Sequence, residues 1–91
     1  MPETHYRRQP GILLREIDGE LLLLNSATDS YYGLNAAGAA MYQSLVDGAS
    51  VDETIGRVCQ EFEVDEATVS NDLSSLLSDL LAKGLLEEVS S

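Results

Sequence analysis

The first third of the chain alternates short apolar runs with turn-forming residues, a pattern typical of β-strands. Apolar residues dominate positions 12–17 and 20–24, and the pair Asp18–Gly19 stands between them. An Asp-Gly pair in this position predicts a β-hairpin, because glycine adopts the positive φ that a type I′ turn requires. A polar turn over residues 25–30 follows, and the aromatic content of Tyr31–Leu34 predicts a third, short strand.

From Asn35 onward the apolar positions recur every three or four residues, which is the period of α-helices. Asn35 is expected to cap a first helix that ends at Asp47–Gly48. Ser50 and Glu53 match a capping box at the start of a second helix. Asp65 opens a third helix, whose apolar stripe is Val69, Leu73, Leu76, Leu77, Leu80 and Leu81.

This order of elements predicts an α+β fold: a three-stranded antiparallel sheet followed by three helices on one of its faces. Glu63–Val64 is short enough to make a winged helix-turn-helix-like corner between the second and third helices. Lys83–Gly84 ends the third helix, and residues 85–89 return as an extended or packed tail. With 91 residues, we expect a single domain over residues 1–91 in which only Met1–Pro10 and the last few residues are loosely held.

The charge balance excludes several classes of partner. Five basic and sixteen acidic residues give a formal net charge of -11, which disfavours binding to nucleic acid or to an anionic membrane surface. The longest apolar run, Leu21–Leu24, is far too short to span a membrane, and the N-terminus lacks a secretion signal. The single cysteine, Cys59, suits a reducing compartment, so we expect a cytoplasmic protein.

No residue pattern indicates catalysis. His5 has no second histidine or cysteine pair beside it, so it is interpreted as a surface residue in the loose N-terminal segment. Cys59 lies beside the apolar stripe of the second helix with no histidine placed to activate it. The acidic pairs are adjacent in sequence and do not converge on a helix, and no glycine-rich phosphate loop is present. We therefore expect neither an enzyme nor a cofactor or metal site.

The third helix carries the most functional information. Its apolar residues cover an arc of about 140°, whereas about 100° is enough to face one core. Either the helix is buried more deeply than usual, or part of the arc lines an external groove. In the second case the short third strand beside it would offer an open sheet edge, to which a peptide can add as a strand.

The chain resembles the PqqD-like proteins, the peptide-recognition elements of pathways that modify ribosomally made peptides, such as those for pyrroloquinoline quinone and lasso peptides. The resemblance covers about residues 12–88, taken as the core of the domain. The matching segments keep the family's order and spacing; they are Tyr31–Gly38, Met41–Tyr42, Leu45–Gly48, Ser50–Thr54, Phe62–Val64, Asp72–Leu73 and Leu80–Leu86. The run Tyr31–Gly38 and the free-standing length are more similar to the lasso-type members.

The resemblance implies a winged-helix-like fold and non-catalytic binding of a precursor's leader peptide. The leader would add to the third predicted strand, pack on the third helix and be presented to a maturation enzyme, either a leader protease with a cyclase or a radical enzyme. Carried over by position, the strand residues are Ser30, Tyr31, Tyr32, Gly33 and Leu34. The helix residues are Asp72, Leu73, Leu76, Leu77, Asp79 and Leu80; the period leaves open which leucines face a groove and which face the core.

Two other classes compete with peptide binding. A winged-helix transcriptional regulator would use residues 65–81 as its recognition helix, but that segment has no lysine or arginine and contains Asp72 and Asp79. A carrier protein would need a serine for its prosthetic arm at a helix start, whereas Ser74 follows Asp72–Leu73 inside a helix. The sequence also leaves the oligomeric state open between a monomer and a weak homodimer, because a second copy can pair with an open edge.

Overall fold

Residues 4–90 are described by the computed structural model, and they form five strands and three helices. In chain order the elements are β1 (Thr4–Arg8), β2 (Ile12–Ile17), β3 (Glu20–Asn25), β4 (Ser30–Leu34), α1 (Ala36–Val46), α2 (Val51–Phe62), α3 (Glu66–Ala82) and β5 (Leu86–Ser90). The predicted α+β class, with three antiparallel strands followed by three helices, is confirmed. The strands β1 and β5 add a second, two-stranded sheet to it.

The three-stranded sheet has β3 in the middle, paired antiparallel with β2 on one side and with β4 on the other. Asp18 and Gly19 connect β2 to β3 with φ angles of 51° and 83°. Both angles are positive, as the type I′ turn predicted from the Asp-Gly pair requires. The polar segment before Ser30 turns the chain again and brings β4 alongside β3.

The core lies between one face of this sheet and the helices. Alternate residues of β3 and β4 point toward the helices and are buried, among them Leu21, Leu23 and Leu34. The helices contribute the remaining core side chains, chiefly Met41, Tyr42, Leu45, Val58, Val69, Leu73 and Leu80. The opposite face of the sheet bears the intervening residues, so it faces outward.

The helix caps follow the sequence prediction. The side chain of Asn35 accepts a hydrogen bond from the backbone N–H of Gly38 at 2.8 Å and so caps α1. Ser50 and Glu53 exchange two hydrogen bonds of 3.1 Å, which complete the capping box of α2. Asp65 caps α3 through the N–H of Thr68. Each cap fixes where a helix begins.

The expectation that Met1–Pro10 is loosely held was wrong for residues 4–8, whereas residues 1–3 lie outside the described part of the chain. Thr4–Arg8 forms β1 and pairs antiparallel with β5, and an ion pair joins Arg7 to Glu87. His5, in the same strand, is half-buried, and its Nδ1 lies 2.9 Å from the carbonyl oxygen of Gly48. Thr4–Arg8 forms a strand because its backbone pairs with that of β5, although its sequence has no apolar run that predicts one.

The tail after α3 forms β5, one of the two alternatives (extended or packed) that the sequence left open, and it is anchored in the core. The expectation that the last few residues are loosely held was therefore wrong as far as Ser90, which pairs with β1. Leu85 and Leu86 are almost completely buried. The buried hydroxyl of Tyr42 in α1 donates a hydrogen bond to the carbonyl oxygen of Leu85 at 3.2 Å. These contacts hold the tail beside α1 and β1, on a different sheet from β4.

Candidate functional site

The strand β4 has an open edge. It pairs with β3 on one side, and within residues 4–90 no strand pairs with its other side. The protein's own tail, which could have covered this edge, pairs with β1 instead. An uncovered edge offers backbone N–H and C=O groups that another chain can use to extend the sheet.

The hairpin determines which backbone groups of β3 face β4. Ile17 and Glu20 flank the two-residue turn and close it as a hydrogen-bonded pair. Hydrogen-bonded and non-hydrogen-bonded pairs alternate along an antiparallel ladder. The even-numbered residues of β3 therefore bond with β2, and its odd-numbered residues direct their backbone groups to β4.

The same alternation assigns the open edge to two residues of β4. Tyr32 and Leu34 lie opposite odd-numbered residues of β3, so their N–H and C=O groups complete that ladder. Tyr31 and Gly33 lie between them and direct their N–H and C=O groups outward. Tyr31 is 73% exposed and its side chain lies on the outer face of the sheet. The edge therefore presents two donors and two acceptors to an added strand.

A groove of about 360 Å³ runs along this edge, between β4, the beginning of α1 and the middle of α3. Its floor is apolar and its rim on the α3 side is polar. The residues that line it are Tyr32, Gly33, Leu34, Asn35, Ala37, Gly38, Met41, Asp72, Ser75, Leu76 and Asp79.

The predicted helix residues separate into two sets. Leu73 and Leu80 have no exposed surface and pack in the core behind the groove. Leu76 is 9% exposed and contributes to the groove floor, while Leu77 is half-buried against the core outside the groove. Asp72 and Asp79 are exposed on the groove rim. The structure therefore brings Asp72, Leu76 and Asp79 to the groove and leaves the other three leucines away from it.

The predicted strand residues also divide. Tyr32, Gly33 and Leu34 line the groove, whereas Ser30 and Tyr31 are exposed but do not line it. Tyr31 still belongs to the open edge through its backbone. Sequence reasoning missed the other groove residues, which are Asn35, Ala37, Gly38, Met41 and Ser75. The i, i+3, i+4, i+7 spacing of residues 72, 75, 76 and 79 on one helix face is the signal that points to Ser75.

A polar contact joins β4 to α3 at one end of the groove. The hydroxyl of Tyr32 donates a hydrogen bond to Oδ2 of Asp79 at 3.0 Å, and Nζ of Lys83 lies 5.9 Å from the centroid of the Tyr32 ring. Partial burial, together with the hydrogen bond and the negative charge of Asp79, raises the pKa of Tyr32 above its usual 10.0. Tyr32 is therefore a protonated donor at neutral pH, and its hydrogen bond to Asp79 joins the strand to the helix.

The groups along the groove are of the kinds that contact a bound chain. Within residues 4–90, no group of three His, Cys, Asp or Glu side chains is arranged to hold a metal ion. In the same part of the chain, no helix combines the length and the apolar character needed to cross a membrane. The groove offers outward backbone groups, an apolar floor and two carboxylates. An open strand edge beside a helix wall is the geometry of proteins that bind extended peptides by strand addition.

Comparison with known proteins shows that the chain belongs to the PqqD family. The family model described as coenzyme PQQ synthesis protein D (PqqD) matches residues 20–86. The family resemblance proposed from the sequence is thus confirmed. Comparison with curated protein sequences gave no match.

Two solved structures are similar over nearly the whole chain. One is TbiB1 in complex with the TbiA(beta) leader peptide: it is 34% identical, has a TM-score of 0.80, and the alignment covers 89% of this chain and 94% of that chain. The other is lasso peptide synthetase B1 complexed with a leader peptide: it is 26% identical, has a TM-score of 0.82, and the alignment covers 91% and 98%. Both relatives were solved with leader peptides, and the name of the second agrees with the lasso-type resemblance of the sequence.

Proposed function

We propose that this protein binds the leader segment of a ribosomally synthesised precursor peptide as an added strand on β4. The observation that carries the proposal is the open edge of β4 beside the groove under α3. Two similar proteins have been solved with leader peptides, which supports a leader as the ligand class.

In this proposal the backbone of the edge supplies most of the affinity. An added strand would lie about 4.8 Å from β4 and pair with the outward N–H and C=O groups of Tyr31 and Gly33. These bonds form with any peptide backbone and carry no sequence information. Because β4 is held by β3 on its other side, the groups are already ordered before the peptide arrives.

The groove supplies the choice of peptide. Successive side chains of an added strand point alternately toward α3 and toward the outer face of the sheet. The inward ones would meet the apolar floor at Leu34 and Leu76 and the carboxylates of Asp72 and Asp79. Leu73 and Leu80 would support this wall from behind without contacting the peptide, because they have no exposed surface.

The protein would act as a binding partner rather than as a catalyst. A separate enzyme of the same pathway would cleave or modify the bound precursor. The similarity to lasso peptide synthetase B1 favours a leader protease with a cyclase over a radical enzyme. No cofactor is needed for strand addition. The bound leader would position the rest of the precursor for that enzyme.

The proposal is tested by filling the groove without disturbing the core. Ser75 is exposed on the groove rim, and a Ser75→Trp substitution would place a large ring over the floor. Ser74, its exposed neighbour, does not line the groove, so Ser74→Trp is the matched control. Fluorescently labelled leader segments would be titrated by anisotropy, beginning with the TbiA(beta) leader and including short precursors encoded beside this gene.

We expect saturable binding to the parent protein and to the Ser74→Trp control, and binding at least tenfold weaker to Ser75→Trp. The proposal would be contradicted if no leader in the panel gave saturable binding. Equal affinities of the parent and the Ser75→Trp variant would show that a leader binds elsewhere on the protein.

A further inference from the structure

The two ends of the groove differ in charge. The residues that line it include two carboxylates and no basic side chain. At one end, Asp79 accepts the hydrogen bond from Tyr32, and Lys83 lies four residues further along the chain, over the same tyrosine ring. The negative charge at this end is therefore partly compensated by the protein itself.

The other end has no such compensation. The carboxylate of Asp72 is exposed on the groove rim, and no hydrogen bond or ion pair joins it to another residue within 4–90. Asp72 lies seven residues before Asp79 on the same face of α3, about 10 Å away along the helix axis. One end of the groove thus presents an unpaired negative charge to whatever occupies it.

The spacing of the groove residues matches the repeat of an extended peptide. Asp72 and Leu76 are four residues apart, which is about 6 Å along an α-helix. Side chains on one face of a strand repeat every two residues, or about 6.7 Å. For an added strand that runs alongside α3, an inward side chain over Leu76 therefore places the next inward side chain in that direction over Asp72.

We propose that the bound peptide carries a lysine or arginine two positions from the apolar residue that covers Leu76, and that Asp72 recognises this charge. The inference rests on the proposed function, since it assumes that a peptide adds to β4. Backbone pairing alone allows the strand to shift by two residues or to reverse, because every residue offers the same groups. A single uncompensated carboxylate at one end would favour one register and one direction.

The overall charge distribution of the protein also favours a peptide with a basic residue. Residues 47–91, which include α3, contain eleven of the sixteen acidic residues and two of the five basic ones. Such a surface attracts a cationic segment during encounter, and like charge repels an acidic one. A basic residue in the peptide would therefore assist both encounter and final placement.

The test is a selection from a displayed library of random 12-residue peptides, run in parallel on three immobilised proteins. These are the parent, Asp72→Asn and the groove-filled Ser75→Trp variant. A fourth selection on Glu61→Gln, which removes an exposed carboxylate outside the groove, is the matched control for loss of charge.

Groove-dependent peptides are those that bind the parent and lose binding to Ser75→Trp. Among the peptides selected on the parent or on Glu61→Gln, we expect the groove-dependent ones to carry a basic residue two positions from a large apolar residue. Selection on Asp72→Asn should keep the apolar residue and lose the preference for the basic one. In synthetic copies of a selected peptide, replacing the basic residue by alanine should weaken binding to the parent about two- to fivefold and leave binding to Asp72→Asn unchanged. Asp72→Lys should reverse the preference and favour glutamate at that position.

The outcomes separate the two claims. Groove-dependent peptides without a basic preference, or with one that survives in Asp72→Asn, would overturn the role of Asp72 and leave strand addition intact. If no enriched peptide loses binding to Ser75→Trp, the proposed function itself fails, and the inference fails with it.

Discussion

The two edge strands of the three-stranded sheet, β2 and β4, offer a comparison within one element. Within residues 4–90 each pairs only with β3, so each exposes one row of backbone groups. The groove bounded by α1 and α3 runs along β4, whereas β2 shows Leu13 and Ile17, both more than half exposed, on the outer face. The helix-lined groove therefore distinguishes the open edge of β4 from that of β2.

The two edges also differ in charge. The strand β2 carries Arg15 and Glu16, both exposed, and charged residues on an edge strand discourage pairing with another chain. The sequence of β4, Ser30–Leu34, contains no charged residue. One edge has the usual protection against strand addition and the other lacks it, as expected if only β4 has to accept a peptide.

The largest effect on stability is expected from a cavity in the core beneath α3, the helix that faces β4. Leu73 is completely buried, so Leu73→Ala should lower the free energy of unfolding by about 2–5 kcal/mol, measured by urea denaturation. Leu73→Met conserves volume and should cost less than about 1.5 kcal/mol. Because Leu73 does not line the groove, we expect the Met variant to bind leader peptide within twofold of the parent. A large loss of affinity in a stable Met variant would place Leu73 in the binding surface.

The next effect distinguishes the two edges directly. Gly33→Pro removes a backbone N–H that points to the open edge of β4, and Glu16→Pro removes a backbone N–H that points to the open edge of β2. Neither substitution removes a hydrogen bond to β3. Leader affinity should fall about 10- to 100-fold in Gly33→Pro, because a partner group of the peptide is left unpaired, and should stay unchanged in Glu16→Pro. Gly33→Ala is the control for the side chain, since a Cβ there has no neighbour within 4 Å. Equal losses at the two edges would remove the distinction between them.

A smaller effect is expected from Tyr32→Phe, which removes the hydrogen bond between β4 and Asp79. The free energy of unfolding should fall by about 0.5–1.5 kcal/mol at pH 8. The pKa of Tyr32 is raised in the folded protein, so its contribution is complete below pH 10.0 and is lost as the pH rises through the folded value. The difference between parent and variant, measured by urea denaturation, should therefore shrink at pH 11. Tyr6 and Tyr42 titrate in both proteins and cancel in that difference.

The smallest effect concerns a site distant from both edges. The hydrogen bonds from Ser50 lower the pKa of Glu53 below its usual 4.5, and the charges of Arg57 and His5 act in the same direction. A lowered folded pKa gives a contribution that is complete above pH 4.5 and is lost as the pH falls through the folded value. Glu53→Gln should therefore melt below the parent at pH 7, and the two midpoints should converge near pH 3. Leader binding at pH 7 should be the same for both, and a change there would link the α2 cap to the site.

Local signals in the sequence predicted most of the fold. Asp18–Gly19 fixed the hairpin, and the caps Asn35, Ser50 and Asp65 fixed the helix starts, because turns and caps depend on nearby residues. The strand β1 escaped prediction, because Thr4–Arg8 pairs with residues about eighty positions away. Nothing local to it distinguishes it from a loose segment.

For the candidate site, the sequence indicated the elements but not which individual residues line the groove. The short strand and the wide apolar arc of α3 pointed to two of the elements that border the groove, since both signals are properties of single segments. The period of the arc could not show that Leu73 and Leu80 face the core while Leu76 reaches the groove, because this depends on how α3 is rotated against the sheet. Ser75 is chemically unremarkable, and only its position on the rim makes it part of the site.

Backbone groups along β4 point alternately to β3 and to the open edge. As a result, pairing with a peptide backbone and recognition of its side chains involve different parts of the protein. The two residues whose main chain faces the open edge are Tyr31, whose side chain lies on the outer face of the sheet, and Gly33, which has no side chain. The outward N–H and C=O groups therefore do not depend on a side chain that enters the groove. In the proposed function, selectivity would rest on the facing helix α3, where a surface change alters neither the turn nor the ladder. Substitutions on one face of α3 could thus change which precursor is bound during evolution, while the backbone groups along β4 stay unchanged.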